Sequence, residues 1–564
     1  MPDRGGLWLR HANRIRYRFP IPTLDPEYAV NPLADTNLTD ALTGSISLVV
    51  PEMAMLALAC LLFVFGMFVR NQKANTLLAL VGLIGTAVIA GLMYDSERDA
   101  FAVMVQNGAE RLAPIWPGPL ASFVRWLAIA VGILLVLTST KEATTGIASE
   151  YYACLVVIVA GVSLVARAND LVSLYLALEM ISIPTYVLLY LPAQGKAGQE
   201  AAAKYFLLSV LSSAVMLLGF SYLYGLAGTT NLSAMNAALT AANAVAVSPL
   251  AALGIVLAVA GLCFRITAVP FHYYAPDVYQ GAPTGVVAQL AVMPKIAGFI
   301  ALVRILGMTH APMTELPFPT ATQVPLMLWV IAAATMTLGN AMALLQDNLK
   351  RIIAYSGIAH AGYMLLGLLT VTAYAPMELK LTAASVNGLD AILFYLVAYA
   401  IMTIGMIAVI AYMSSEDRPI ETVDDLAGAG QTNRFAAVLL TVSLLSMIGF
   451  PFVAGFWGKF LLFFGLYDAP TISGMGTMYR VLAVVAAVNA AIGAVYYLRI
   501  IGVIYLRSPL RENAPAKGLG PLSAAILCTI ATLVIGFFPQ ALTDLSKAVS
   551  ATPGKVAKSV VPQR

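Results

Sequence analysis

Six ionisable side chains lie within or beside long apolar stretches of this sequence. They are Glu179, Lys204, Arg265, Lys295, His360 and Lys459. A charged side chain at the centre of a membrane-spanning helix costs at least about 2.5–3.5 kcal/mol. Residues that bear this cost normally mark a path for ions or protons. We therefore consider all six as candidates for proton translocation.

Two lysines lie deep in apolar sequence, Lys295 in GVVAQLAVMPKIAGFIALV and Lys459 in GFPFVAGFWGKF. A lysine at membrane depth extends its amine to the interface, pairs with an acid, or gives up its proton. The central position of Lys295 disfavours the first outcome and suggests a proton relay. Lys459 lies where a broken helix leaves backbone carbonyls free, although its amine can alternatively reach the interface from a tilted half-helix.

An acid and an arginine form a second kind of candidate. Glu179 lies midway in DLVSLYLALEMISIPTYVLLYLP, where it either pairs with a cation or remains a protonated, hydrogen-bonded carboxyl. Arg265 keeps its proton under any condition found in proteins. It can therefore hold a charge beside Glu179 but cannot release a proton, and a purely structural counter-ion is an equal alternative.

The remaining two candidates have plainer alternatives. Glu200 and Lys204 are four residues apart with the acid first, the favourable order on one helix face. An ion pair at the membrane interface explains them as well as a relay does. His360, in AYSGIAHAGYM, exchanges protons near neutral pH when it is unperturbed. A buried histidine that only satisfies hydrogen bonds is the alternative.

The whole chain has the composition of an all-α polytopic membrane protein. Of its 564 residues, 60% are hydrophobic and 11% are charged, whereas soluble chains have about 25% charged residues. The mean hydropathy is +0.84. The net charge of +4 is spread along the chain, so a nucleic-acid partner is not expected.

The apolar stretches predict the membrane crossings, at about 20 residues per crossing. We predict fourteen spans, near 46–69, 76–93, 119–138, 151–167, 170–191, 203–227, 249–274, 282–304, 325–345, 352–373, 389–413, 435–467, 480–505 and 521–542.

Two of the predicted spans contain helix-breaking residues. Pro270 interrupts the seventh, and Gly449, Pro451, Gly455 and Gly458 are expected to break the long stretch 435–467. Interrupted helices in corresponding halves are typical of inverted repeats around an ion path.

The interrupted spans lead to a division of the chain into five parts. We predict two inverted five-helix repeats, spans 4–8 and 9–13. The predicted division is a polar extension (1–45), three spans (46–150), the first repeat (151–306), the second repeat (325–505), and a last span with a polar tail (506–564).

Motifs for bound cofactors are missing from the sequence. The four cysteines form no CxxC or metal-like spacing, and no nucleotide-binding loop or haem ligand pair is recognisable. We expect the chain to bind no cofactor and no metal itself.

Several longer motifs resemble a known family, the antiporter-like membrane subunits of complex I, the proton-pumping NADH–quinone oxidoreductase. They are DLVSLYLALEMISIPTYVL, EAAAKYFLLS, VPFHYYAPDVYQGAPT, LGNAMALLQDNLKRIIAYSGIAHAGYML and GFPFVAGFWGKF. The run PDVYQGAP is similar to subunit N, the bacterial counterpart of mitochondrial subunit 2, and unlike subunits M and L or the Mrp antiporters.

The resemblance assigns roles to the candidates. It implies that Glu179 and Arg265 form the charge pair of a first half-channel, Lys295 is the central relay, and Lys459 serves the second half-channel. Lys204 and His360 match positions on the hydrophilic axis of the family. Arg265 departs from the pattern, because the family usually has lysine there.

The implied activity is that of a non-redox subunit of a proton-translocating NADH:quinone oxidoreductase in the bacterial inner membrane. Quinone reduction elsewhere in the complex drives the protons, and NAD and quinone are used by the whole complex. The implied partners are the M subunit, the small K- and J-type subunits, and lipid. An Mrp-type cation/proton antiporter and a structural scaffold, whose charges only hold helices together, remain the alternatives.

Overall fold

A computed structural model of the chain describes residues 46, 48–106, 113–192, 195–241, 249–307, 320–373, 387–415, 419–467, 476–509 and 518–550. The predicted extension 1–45 and the end of the polar tail, 551–564, lie outside the described residues. The described residues form helices joined by turns, with only isolated β-bridges between them.

The first half of the chain contains ten described helices. They are α1 (Val50–Phe68), α2 (Gln72–Leu92), α3 (Tyr94–Gln106), α4 (Pro119–Thr138), α5 (Ala148–Arg167), α6 (Leu171–Tyr190), α7 (Lys196–Ala227), α8 (Leu232–Ala241), α9 (Pro249–Arg265) and α10 (Ala275–Gly281). Polar side chains begin several of them. Asp170, for example, accepts hydrogen bonds from the first free amides of α6, those of Val172 (2.8 Å) and Ser173 (3.3 Å).

Ten more described helices follow in the second half. They are α11 (Thr284–Gly307), α12 (Thr320–Leu344), α13 (Leu349–Ala373), α14 (Gly388–Met413), α15 (Ala429–Thr432), α16 (Arg434–Ile448), α17 (Ala454–Tyr467), α18 (Gly476–Leu506), α19 (Leu519–Phe537) and α20 (Gln540–Ser550). Among all described helices, twelve are long and apolar enough to span a membrane, namely α1, α2, α4–α7, α11–α14, α18 and α19. The chain is a multi-pass, all-α membrane protein, as predicted.

Twelve of the predicted spans correspond to these twelve helices, and the other two are interrupted. In the first, α9 ends at Arg265 and α10 begins at Ala275, with Pro270 in the irregular segment between them. In the second, α16 ends at Ile448 and α17 begins at Ala454. Gly449 follows α16 with φ +86°, a left-handed conformation that favours glycine.

Two expectations about helix breaks are wrong. Gly455 and Gly458 lie inside α17 and do not interrupt it. A Cβ at Gly455 would lie 1.9 Å from the Ser446 carbonyl oxygen of α16, and one at Gly458 would lie 2.7 Å from the Tyr395 ring of α14. These glycines therefore allow close packing of helices instead of ending one.

The last predicted span also ends earlier than expected. Helix α19 stops at Phe537, and the separate helix α20 begins at Gln540 after Pro539. Helix α20 packs against α4 and α14, and its Ser546 is buried. The prediction of one continuous span to residue 542 is wrong, because proline cannot continue a helix begun before it without losing a backbone hydrogen bond.

Helices α11, α13 and α14 form the centre of the protein. The membrane-spanning windows of α11 and α13 are wholly buried, and α14 is nearly so. Helices α1, α2 and α18 lie outside and expose large apolar side chains, such as Leu61, Val81 and Val484. Extensive exposed apolar surface is expected where helices face lipid. Two of the six candidates, Lys295 and His360, lie on these central helices.

A buried ion cluster joins α1, α3, α4 and α5, and sequence reasoning missed it. Arg125 Nε lies 2.8 Å from Glu52 Oε1, and Arg125 Nη1 lies 2.5 Å from Glu97 Oε1. Arg167 pairs with the same two carboxylates, at 3.2 Å and 2.8 Å. Ser163 also donates a hydrogen bond to Glu52. Alternating charges thus compensate one another inside an apolar core.

This cluster yields a stability prediction. We expect Glu52→Gln to lower the free energy of unfolding by about 3–5 kcal/mol, because it leaves two buried arginines with a single carboxylate. Thermal unfolding of the detergent-solubilised protein measures the change.

The control is Asp424→Asn, which breaks the exposed pair between Asp424 and Arg507. We expect no measurable change there, since exposed ion pairs contribute little. Equal effects of both substitutions would contradict a stabilising role for the buried cluster.

Candidate functional site

Glu179 and Arg265 form a direct ion pair inside the protein. Glu179 lies in the middle of α6, and Arg265 is the last residue of α9, at the first helix break. Arg265 Nη2 lies 2.9 Å from Glu179 Oε1, which also accepts a 2.6 Å hydrogen bond from Ser213 Oγ. The break therefore places a permanent positive charge against an acid of the neighbouring helix.

The Arg265 guanidinium has further partners, all within α6 and α7. Its Nη1 donates to the Leu178 carbonyl at 3.1 Å and to Ser182 Oγ at 2.5 Å. Its Nη2 approaches Ser213 Oγ at 3.4 Å. Because a guanidinium is planar and offers five donors, several contacts fix its position at once.

Lys295 lies at the centre of the protein, fully buried in α11. Its amine donates to the Ala291 carbonyl and to the Tyr399 hydroxyl of α14, both at 3.3 Å. The same amine lies 5.4 Å from the centroid of the Tyr399 ring. Among the described residues, its partners are thus a carbonyl and a phenol, and no carboxylate pairs with it. Its charge is not fixed by an ion pair.

A glycine of α13 makes room for this contact. A Cβ at Gly357 would lie 2.8 Å from Lys295 Nζ and 3.0 Å from the Tyr399 hydroxyl oxygen. Both distances are shorter than ordinary van der Waals contacts. The lysine and the tyrosine therefore meet in a space that only glycine leaves open.

His360 joins two tyrosines on either side of its ring. Its Nδ1 forms a 2.6 Å hydrogen bond with the Tyr395 hydroxyl, and its Nε2 forms a 3.2 Å hydrogen bond with the Tyr497 hydroxyl. Tyr497 is also hydrogen-bonded to Ser356. The buried imidazole thus lies within a short chain of groups that can both donate and accept protons.

Lys459 is buried in α17, directly after the second helix break. Its amine donates to the carbonyls of Met447 (2.8 Å) and Ile448 (2.9 Å), the last two residues of α16. Carbonyls at a helix C-terminus lack partners within the helix and carry partial negative charge. Its amine also lies 5.2 Å from the centroid of the Tyr363 ring. Among the described residues, backbone carbonyls and an aromatic ring, and no carboxylate, thus stabilise this ammonium.

Lys204 is the most exposed of the six candidates, since four of the others are buried and Glu179 is 17% exposed. Its side chain is 41% exposed, and it pairs with Glu200 at 2.7 Å and with Asp277 at 3.2 Å. Asp277 is also paired with Arg351 at 2.7 Å. Lys204 therefore belongs to a half-exposed ion network at one end of α7 and does not lie in the buried row.

Sequence reasoning missed the tyrosines. Tyr395 and Tyr399 lie one turn apart on α14 and contact His360 and Lys295, respectively. Their four-residue spacing in FYLVAYA was the available signal, but aromatic residues are common in apolar helices. Asp277 was also missed, although it lies within the quoted run PDVYQGAP.

The described residues contain no group of three or more His, Cys, Asp or Glu side chains that could hold a metal ion. All four cysteines are free thiols in separate helices.

The chain is similar to known membrane proteins along most of its length. Residues 168–486 match a family model described as NADH:quinone oxidoreductase/Mrp antiporter, TM. NADH-quinone oxidoreductase subunit N 1 of Solibacter usitatus is 35% identical over 502 residues, 87% of this chain and 94% of the relative. Subunit N of Anaeromyxobacter is 36% identical over 521 residues, 88% and 95% of the two chains. The chain belongs to the subunit N family of NADH-quinone oxidoreductases.

Solved structures share the fold. A chain in respiratory complex I from Thermus thermophilus with bound aureothin superposes with a TM-score of 0.69 at 26% identity, covering 88% of this chain and 98% of that one. A chain of the Mrp complex from Dietzia has the same TM-score at 19% identity, with 91% and 100% covered. At 19% identity, the similarity to the Mrp chain shows a shared fold and nothing more.

The Arg265 contacts yield a second prediction. We expect Arg265→Met to lower the free energy of unfolding by about 3–5 kcal/mol, because Glu179 loses its cation in an apolar interior. In Arg265→Lys the ion pair is kept, but the amine contacts fewer of the oxygens that surround the guanidinium. We therefore expect a smaller decrease in the free energy of unfolding. Thermal unfolding of the purified protein compares the two, and equal losses would show that the ion pair is not the stabilising element.

Proposed function

We propose that this chain conducts protons across the bacterial inner membrane as a non-redox subunit of a proton-translocating NADH:quinone oxidoreductase. The observation that carries the proposal is the row of buried and partly buried ionisable groups, which runs from the Glu179–Arg265 pair through Lys295 and His360 to Lys459. Intramembrane charges of this kind mark proton and ion pathways. The names of the subunit N relatives supply the complex in which the row operates.

Within this row, each of the last three ionisable groups contacts one or more tyrosines. Lys295 contacts Tyr399, His360 contacts Tyr395 and Tyr497, and Lys459 lies at the Tyr363 ring. The His360 ring is 5.4 Å from the Tyr399 ring and 5.8 Å from the Tyr363 ring, measured between centroids. Water molecules bridge such gaps at little cost in free energy. Protons then pass from Lys295 towards His360 and Lys459.

The first ion pair controls this transfer through its field. Arg265 keeps its charge, so it contributes by position and does not exchange protons. A Cβ at Gly298 of α11, one turn from Lys295, would lie 3.4 Å from Arg265 Cβ, so the pair lies against the helix of the central lysine. In a medium of low dielectric constant, separating Glu179 from Arg265 changes the field at Lys295 strongly. Half-exposed Lys204 serves as a proton entry group at the end of α7.

The row lies on two repeats with matching helix contacts, which supports the inverted five-helix repeats proposed for residues 151–306 and 325–505. The first repeat comprises α5, α6, α7, α9–α10 and α11, and the second comprises α12, α13, α14, α16–α17 and α18. In each repeat the first helix packs on the second, the second on the third, the third on the interrupted fourth, and the fourth on the fifth. Five crossings per repeat place the two in opposite orientations. Arg265 and Lys459 then occupy the interrupted member of each repeat.

The remaining assignments follow from the same proposal. Residues 46–150 form three additional spans, 506–564 contain the last span and a tail, and 1–45 are an extension. The partners are the antiporter-like M subunit, the small K- and J-type subunits, and lipid. NAD and quinone are bound elsewhere in the complex, and this chain takes part without a cofactor of its own.

A cation/proton antiporter of the Mrp type is the second candidate function. The shared fold with the Dietzia Mrp complex and the description of the matching family model favour it. Sodium–proton exchange by vesicles that contain this chain without redox subunits would support the antiporter. Sodium-independent proton movement that requires NADH and quinone would support the complex I subunit.

Lys295→Met tests the central relay. We expect the complex to assemble, because the amine makes no ion pair with any described residue. We expect NADH-driven proton uptake by inverted vesicles to fall roughly tenfold or more.

Lys73→Met, at the exposed start of α2, is the matched control and should leave proton uptake unchanged. Normal uptake by the Lys295→Met complex would disprove the assignment of Lys295 as the relay.

Gly357→Ala tests the geometry of the same step without removing a charge. The added methyl group would lie 2.8 Å from Lys295 Nζ, so we expect the amine to move away from Tyr399 and proton uptake to fall several-fold. Helix stability should not suffer, since alanine favours helices over glycine by about 1 kcal/mol.

The control for Gly357→Ala is Gly225→Ala in α7, where a Cβ would meet nothing within 4 Å. An equal effect of both glycine substitutions on proton uptake would show that the space at Lys295 does not matter.

A further inference from the structure

Two adjacent residues of opposite charge, Lys141 and Glu142, contact the ends of two central helices. They follow α4 at the short 3₁₀ turn Ser139–Lys141. This position lies outside both proposed repeats and outside the range 168–486 that matches the family model. Nothing in the proton path described above involves these two side chains.

The Glu142 carboxylate binds the beginning of α11. The Gly285 amide donates to both of its oxygens, at 2.7 Å and 2.8 Å. Free amides and partial positive charge at a helix N-terminus favour such a carboxylate. A Cβ at Gly285 would lie 2.8 Å from Glu142 Oε2 and 2.9 Å from Ser139 Cβ, so glycine leaves the space that the carboxylate fills. Lys350 adds a cation nearby and donates to the Ala282 carbonyl at 2.6 Å.

The Lys141 amine binds the end of α14. It donates to the carbonyls of Ala411 (2.8 Å), Tyr412 (2.9 Å) and Ser414 (2.8 Å). These three bonds use all the donors of an ammonium group. A cation at a helix C-terminus also interacts favourably with the partial negative charge there. Each member of the dipeptide therefore binds the helix end of opposite sign.

The two bound helices carry the two partners of the central contact. Lys295 lies ten residues after Gly285 on α11, about 15 Å along the helix, and Tyr399 lies twelve residues before Ala411 on α14, about 18 Å away. Lys141 and Glu142 are adjacent in one tight turn and bind one end of each helix. The turn therefore fixes the position of α11 along its axis relative to α14. That position sets the 3.3 Å distance between Lys295 Nζ and the Tyr399 hydroxyl.

We propose that Lys141 and Glu142 are positioning residues that fix the register of α11 against α14. They thereby fix the contact through which the Lys295 ammonium gives a proton to the Tyr399 hydroxyl while that hydroxyl passes its own proton on towards His360. This inference rests on the proposed function, since it concerns the same transfer step. Proton transfer depends steeply on donor–acceptor distance, and displacements of about 1 Å in a reacting pair can cost around a hundredfold in rate.

The test uses the whole complex in inverted membrane vesicles, with Lys141→Met, Glu142→Gln and the conservative variants Lys141→Arg and Glu142→Asp. Proton uptake per assembled complex is measured in water and in deuterium oxide. We expect Lys141→Met and Glu142→Gln to lower uptake roughly tenfold and to raise the solvent isotope effect, because the Lys295–Tyr399 transfer becomes rate-limiting. The conservative variants should recover much of the rate.

Lys73→Met and Asp424→Asn are the charge-removing controls, and both should behave like the unmodified chain. Should Glu142→Gln reduce assembly, Gly285→Ala displaces the carboxylate without removing its charge and should give the same rise in isotope effect. An unchanged uptake and isotope effect per complex, or a loss explained wholly by less assembled complex, would overturn the positioning role.

The Lys295→Met variant distinguishes failure of the proposed relay from failure of the positioning role. Normal uptake with Lys295→Met would overturn the proposed relay itself. Loss of uptake with Lys295→Met, together with normal uptake by the Lys141 and Glu142 variants, would overturn the positioning role alone.

Discussion

Burial of charge in an apolar interior is the constraint on which the rest of this structure depends. Each buried ionisable group has a specific source of compensation, and the sources differ. Glu179 has an arginine, Lys459 has the free carbonyls at the end of α16, and Lys295 has one carbonyl and one phenol. A group paired with a fixed opposite charge keeps its own charge, whereas a group compensated by neutral dipoles can lose its proton at modest cost. The kind of compensation therefore separates fixed charges from exchangeable ones.

The helix breaks supply much of this compensation. A continuous helix satisfies its own backbone groups, whereas an interrupted one presents free carbonyls or amides at membrane depth. The break after α16 gives Lys459 two such carbonyls, and the break after α9 leaves Arg265 at a helix end from which it reaches α6. In both cases the interruption and the charge lie together, and at the second break the freed carbonyls bind the ammonium directly.

Much of this arrangement was predictable from local sequence, and the remainder depends on tertiary contacts. Mid-span charges such as Lys295, and the breaks near Pro270 and Gly449, follow from composition and backbone chemistry. Gly455 and Gly458 misled the prediction because a glycine that breaks a helix and one that admits a neighbouring helix look the same in sequence. The cluster around Arg125 was missed because its partners Glu52 and Glu97 lie on other helices, and no local pattern joins them.

On the proposed mechanism, the contacts of Arg265 indicate which member of its ion pair with Glu179 moves. Its guanidinium binds Leu178 and Ser182 as well as Glu179, and all three belong to α6. A rigid-body movement of α6 moves all three partners together. Such a movement does not by itself separate Glu179 from Arg265. Rotation of the Glu179 side chain, which is 17% exposed, would then separate the charges while the arginine stays bound to its partners on α6 and α7. In the proposed mechanism, Glu179 is thus the member of the pair that moves. Arg265 stays in place as a fixed positive charge, so movement of the acid changes the electric field at Lys295.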